Sequence, residues 1–65
     1  MKHLELIYSD SNDRISVSVR LNGEKTNKVL AERDLGIKIP PYYLQALELK
    51  GLLNAKGISF SCFKS

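Results

Sequence analysis

Residues 40–57 are Pro40-Pro-Tyr-Tyr-Leu-Gln-Ala-Leu-Glu-Leu-Lys-Gly-Leu-Leu-Asn-Ala-Lys-Gly57, the element around which the rest of the chain is arranged. Two prolines at the start and a glycine at the end are the asymmetry of a helix with both stops written in. Tyr42, Ala46, Leu49 and Leu53 recur at i, i+4, i+7 and i+11, which is one helix face. The spacing predicts a main helix over about 41–55, with Lys56 in its last turn and Gly57 just beyond it. A second stripe, Tyr43, Leu44 and Leu47, runs beside the first. Gly51 lies one turn past Leu47; a mid-helix glycine costs about 1 kcal/mol relative to alanine, so close packing is expected there. Adjacent Tyr42 and Tyr43 point about 100° apart, so one belongs to the core and the other is free to anchor a partner or stack on a base.

Upstream, Ile37-Lys38-Ile39 is an extended connection, because the residue before a proline is pushed away from helical angles. Lys28–Leu35 reads as a short helix capped by Thr26 or Asn27 and stopped by Gly36, with Val29, Leu30 and Leu35 as its apolar members. Its Glu, Arg, Ala and Leu are good helix formers, which favours helix over a further hairpin strand at Lys28–Ala31. Arg14–Leu21 carries the cleanest period-two signal: Ile15, Val17, Val19 and Leu21 alternate with Arg14, Ser16, Ser18 and Arg20. Residues 2–8 place Leu4, Leu6 and Tyr8 on one side of another strand. The turn formers Ser9–Asp13 join the two strands into an N-terminal antiparallel hairpin, and Asn22–Lys25 is a second turn. Downstream, Ile58, Phe60 and Cys62 alternate with serines in a third strand that joins the hairpin. The expected fold is α+β in a single domain spanning 1–65.

A chain of 65 residues buries only about 60% of the surface it exposes when unfolded, so a second source of burial is expected. Cys62 is the only cysteine and His3 the only histidine. An intramolecular disulfide is therefore impossible, and a zinc site built from Cys and His lacks ligands; no metal or cofactor is expected. Self-association into a homodimer, or a protein partner, remains. No stretch has the length of a signal-peptide h-region or approaches the roughly 20 apolar residues of a membrane span, so the expected setting is reducing, cytoplasmic and away from membranes. Ten Lys and Arg against seven Asp and Glu leave a net charge of +3, which permits a polyanionic partner without demanding one. Arg14 and Arg20 share a strand face that suits phosphate contacts, although a solvated outer face is the simpler reading. No enzyme is expected: His3 has no acid partner in sequence, Cys62 has no marked electropositive neighbourhood, and no phosphate-binding glycine loop or hydrolase serine motif occurs.

The run Val29-Leu-Ala-Glu-Arg-Asp-Leu-Gly-Ile-Lys-Ile-Pro-Pro-Tyr-Tyr-Leu-Gln-Ala-Leu-Glu-Leu-Lys-Gly-Leu-Leu-Asn-Ala-Lys-Gly57 resembles a winged helix-turn-helix. In that family a short helix reading Leu-Ala-Glu precedes a Gly-Ile turn, and the recognition helix opens with Pro-Pro-Tyr and closes on Lys-Gly-Leu. The resemblance implies a small DNA-binding regulatory protein using the 28–56 helix pair, with Lys38, Tyr42 and Gln45 approaching duplex DNA. Lys50 is the only cation between Pro41 and Ala55 and would join them. Three departures are plain. The spacing from Ala31 to Gly36 is one residue longer than is usual between those landmarks, a hairpin replaces the first helix, and only one strand follows the recognition helix. The alternative is a protein-binding module, such as an antitoxin, inhibitor or accessory factor of phage or plasmid type. It would act through the second stripe, Tyr43, Leu44 and Leu47.

Overall fold

The computed structural model describes residues 2–65. Strand β1 (His3–Ser11) alternates strictly, with Leu4, Leu6 and Tyr8 buried and the residues between them half-buried. It turns through Asn12 and Asp13, both at positive φ (50° and 61°), into β2 (Arg14–Leu21). The loop is thus two residues rather than the expected five, because Asn and Asp tolerate the left-handed region that a tight hairpin turn needs. Leu4 pairs with Leu21 at one end of the ladder and Ser11 with Arg14 at the other.

Asn22 (φ 56°) and Gly23 (φ 83°) make a second turn of the same kind. It leads into β3 (Glu24–Thr26), three residues that pair antiparallel with Val19–Leu21. This strand replaces the far side of the expected turn; three polar residues carry no alternation by which to find it.

Helix α1 spans Lys28–Leu35. Asn27 is its cap, with Oδ1 accepting from Leu30 N at 2.9 Å, and Gly36 (φ 67°) ends it. The helix buries Ala31 and Leu35 and leaves Val29 and Leu30 exposed, so only Leu35 of the three expected apolar members faces the core. Residues 37–39 leave α1 extended. Ile39 N donates to the Glu32 carboxylate at 2.7 Å, which ties the segment to the helix and seats Ile37 and Ile39 in the core.

The main helix begins at Tyr43 and is bent. It consists of α2 (Tyr43–Leu47) and α3 (Leu49–Ala55), joined by a tighter turn in which Glu48 N donates to Gln45 O at 3.2 Å. Tyr42 is outside the helix, at φ −119° and ψ 144°, so helical periodicity does not govern its side chain. Tyr43 rather than Tyr42 therefore joins Ala46, Leu49 and Leu53 on the core side. The expected close packing at Gly51 is absent: a Cβ built there meets no atom within 4 Å.

Gly57 (φ 75°) turns the chain, with Ile58 N donating to Leu53 O at 2.9 Å and Gly57 N to Asn54 O at 3.0 Å. These two bonds satisfy the last carbonyls of α3. Strand β4 (Ser59–Lys64) then runs parallel to β1, with Leu4 beside Phe60 and Leu6 beside Cys62. The sheet order is β3-β2-β1-β4, so the C-terminal strand joins the hairpin as expected. A parallel pair needs a crossover, and residues 27–57 supply it. The core is Leu4, Leu6, Tyr8 and Val19 from the sheet, closed by Ala31, Leu35, Ile37, Ile39, Ala46, Leu53 and Ile58.

Replacing Asn27 by alanine removes the acceptor for Leu30 N. The expected loss is about 1 kcal/mol, or a fall of about 4–8 °C in Tm for a domain of this size. Thermal denaturation of Asn27→Ala beside Thr26→Ala checks it, and an equal fall in both would contradict the cap assignment.

Candidate interaction surface

The C-terminal half of β1 and the start of α2 meet at one end of the fold. Tyr8 is buried, and its hydroxyl donates to the Pro40 carbonyl at 2.6 Å. Its ring meets Tyr43 edge-on, with centroids 6.2 Å apart and planes at 71°. That geometry favours an aromatic pair by about 0.5–1.5 kcal/mol beyond burial. With Pro40 tied from one side and Tyr43 packed from the other, the intervening Pro41 and Tyr42 are held outward. Tyr42 is 52% exposed and Leu44 74%.

These side chains wall a cleft of about 440 Å³, together with Ile15 of β2, itself 48% exposed. Asp10 and Lys64 supply its charged groups. A second hollow, of about 430 Å³, shares Ile15 and Tyr42 and adds Val17, Pro41, Lys28 and Asp13. Ile15 and Tyr42 thus form a ridge between two concave, largely apolar regions.

Burial pushes the Tyr8 phenol up to about 12, with the Cys62 thiolate adding to it. Burial also raises the Cys62 thiol above its ordinary value, which lowers its thiolate fraction and its reactivity at neutral pH. The Tyr8 hydroxyl is therefore a fixed donor throughout the physiological range.

The residues singled out in sequence fall in different places. Tyr42 and Leu44 line the cleft. Tyr43 lines it too, but packs against the core through Tyr8 and is only half-exposed, so it is as much support as contact. Leu47 is exposed on α2 and lies outside the cleft lining. Lys38, Gln45 and Lys50 are all exposed. Lys38 borders a separate hollow beside α1, with Val29, Glu32 and Arg33, whereas Gln45 and Lys50 lie on opposite sides of the Glu48 turn. The four residues tied to DNA are therefore spread over three segments.

Sequence reasoning missed Ile15 as a surface residue. Alternation assigns it to the core side of β2 correctly, but how far the helices cover that strand carries no sequence signal. The far side of the sheet bears no helix. There Arg14, Ser16, Ser18 and Arg20 lie beside Ser11, Ser9, Ile7 and Glu5, with a Ser9–Ser16 hydroxyl contact at 2.6 Å. No helix of the described residues is long and apolar enough to cross a membrane. No protein family, curated protein or solved structure matches the chain.

The raised Tyr8 phenol links stability to pH. A phenol whose folded value exceeds its unfolded value of about 10 contributes fully below pH 10 and progressively less as pH rises toward 12. Tyr8→Phe should lose about 1 kcal/mol at neutral pH, from the hydrogen bond to Pro40, and show a shallower decline in stability above pH 10. Denaturant unfolding at pH 8 and pH 11 measures both; an unchanged decline in the variant would contradict the assignment.

Proposed function

We propose that the chain is a small protein-binding module that engages its partner through the surface built on Ile15, Tyr42 and Leu44. One observation carries the reading: three large apolar side chains stand exposed around a single concave site, on a backbone already tied down by Tyr8. Exposed apolar side chains scattered singly need no explanation, but a group of them around a cleft marks an interaction site. Tyrosine suits this role because its ring supplies large contact area at small entropic cost, and its hydroxyl keeps the free surface wetted. The tie between Tyr8 and Pro40 lowers the ordering cost of binding, since Tyr42 is held before the partner arrives. An antitoxin, inhibitor or accessory role fits such a module.

The second reading is a DNA-binding regulator that uses the 28–56 helix pair. Its support is that Lys38, Tyr42, Gln45 and Lys50 are all solvent-exposed on a chain of net charge +3. It is weaker because a groove-reading helix works with several phosphate contacts close by, and these four residues, only two of them cations, are spread over three segments. A homodimer is compatible with either reading.

Leu44→Asp and Tyr42→Ala alter exposed positions, so both should stay within about 0.5 kcal/mol of the parent in stability. The partner is recovered by affinity enrichment from cells expressing the protein, then titrated against each variant. Each substitution should weaken its binding tenfold or more, about 1.4 kcal/mol. Unchanged affinity in both would overturn the proposal. Mobility-shift assays with duplex DNA at ~50 mM salt test the other reading, which requires binding that Lys38→Ala and Lys50→Ala weaken and added salt abolishes.

A further inference from the structure

β3 covers only one end of β2. Its three residues pair with Val19, Arg20 and Leu21, and among the described residues no strand lies along the outer edge of residues 14–18. The phase of that edge follows from the turns. A two-residue turn closes on a pair that exchanges both hydrogen bonds, here Ser11 with Arg14, so Arg14, Ser16 and Ser18 direct their main-chain groups to β1. Ile15 and Val17 direct theirs outward. The turn at Asn22-Gly23 gives the same phase from the other end, with Leu21 and Val19 turned to β3. The N–H and C=O of Ile15 and Val17 have no intramolecular partner among the described residues. A half-open edge of this kind is a template for another strand.

The hollow beside that edge defines what the strand should carry. It lies on the helix side and is walled by Ile15, Val17, Pro41 and Tyr42, so side chains entering it should be apolar. Lys28 also borders it, as the first residue of α1. Helix α1 has no acidic residue in its first turn, where the Asn27 carboxamide accepts from Leu30 N. On the opposite face of the sheet, the exposed Arg14 sits where alternate side chains of an added strand would project. Lys28 and Arg14 form no ion pair among the described residues, and Asp13 is the one acid in the hollow. A second copy paired edge to edge would set Ser16 or Ser18 opposite Arg14 and so supply no carboxylate there.

We propose that the edge of β2 at residues 14–18 accepts an extended segment of another protein as a fifth strand, one that alternates apolar with acidic residues. The apolar side chains fill the hollow between Val17 and Tyr42, and the acidic ones face Arg14 on the opposite side of the sheet. Main-chain bonds to Ile15 and Val17 set the register. The proposal rests on the protein-binding reading and names the chemistry of its partner.

The test uses the full chain, isotope-labelled for NMR, and a blocked seven-residue peptide of alternating Val and Glu. Two control peptides carry Lys in place of Glu, or N-methylated backbone amides. The Val/Glu peptide should shift resonances of residues 14–18 and slow amide exchange at Ile15 and Val17 by tenfold or more. Both controls should bind at least tenfold more weakly. In the variant Arg14→Glu, whose site is exposed, the preference should swap to the Lys peptide. Equal binding of the Glu and Lys peptides would overturn the acidic specificity. Shifts at Tyr42 and Leu44 with none at Ile15 and Val17 would overturn strand addition while leaving the protein-binding reading intact. Strand addition that persists while Leu44→Asp and Tyr42→Ala leave partner affinity unchanged would overturn that parent surface alone.

Discussion

The hydrogen bond from Tyr8 to the Pro40 carbonyl, 2.6 Å long, joins the two halves of this molecule. On one side stands β1, the strand paired with both β2 and β4, whose Leu4 and Leu6 are fully buried. On the other stands the crossover that returns the chain to lie parallel to β1. A proline carbonyl cannot be satisfied by a helix that has not yet begun, so a buried phenol that reaches it fixes where the crossover passes the sheet. The outward position of Tyr42, the inward position of Tyr43 and the cleft between them follow from that tie. Burial keeps the phenol protonated well beyond neutral pH, so the donor is always present.

Much of the fold was legible in local chemistry. The alternation of Ile15, Val17 and Val19, the Asn27 cap and the two stops at Gly36 and Gly57 each have a mechanism acting within a few residues. What escaped was decided over longer distances or by too few residues. Glu24–Thr26 is too short and too polar to show a period. The parallel direction of β4 depends on the path of some thirty intervening residues, not on Ser59–Lys64 themselves. The exchange of Tyr42 and Tyr43 arose because the helix begins two residues later than expected, which leaves Tyr42 in extended backbone while Ala46 keeps its expected place in the core. Beyond the bend at Glu48, Leu49 and Leu53 continue on the same core face.

The functional surface was less legible for a related reason. Tyr42 and Leu44 were visible as surplus apolar residues, but Ile15 looks identical in pattern to Val19, which is buried. Only the reach of α1 over β2 separates them. The same short reach leaves main-chain groups of β2 unpaired beside the hollow, so the apolar surface and the open edge share one origin.

In the free protein β2 is closed on one side and half-open on the other. Native-state amide hydrogen exchange along this single strand tests it directly. Ser16 and Ser18, bonded to β1, and Val19, bonded to β3, should exchange slowly, whereas Ile15 and Val17 between them should exchange at rates close to those of an unstructured chain. Protection at Ile15 and Val17 equal to that of Ser16 and Ser18 would contradict the account, because it would mean that this edge is already covered.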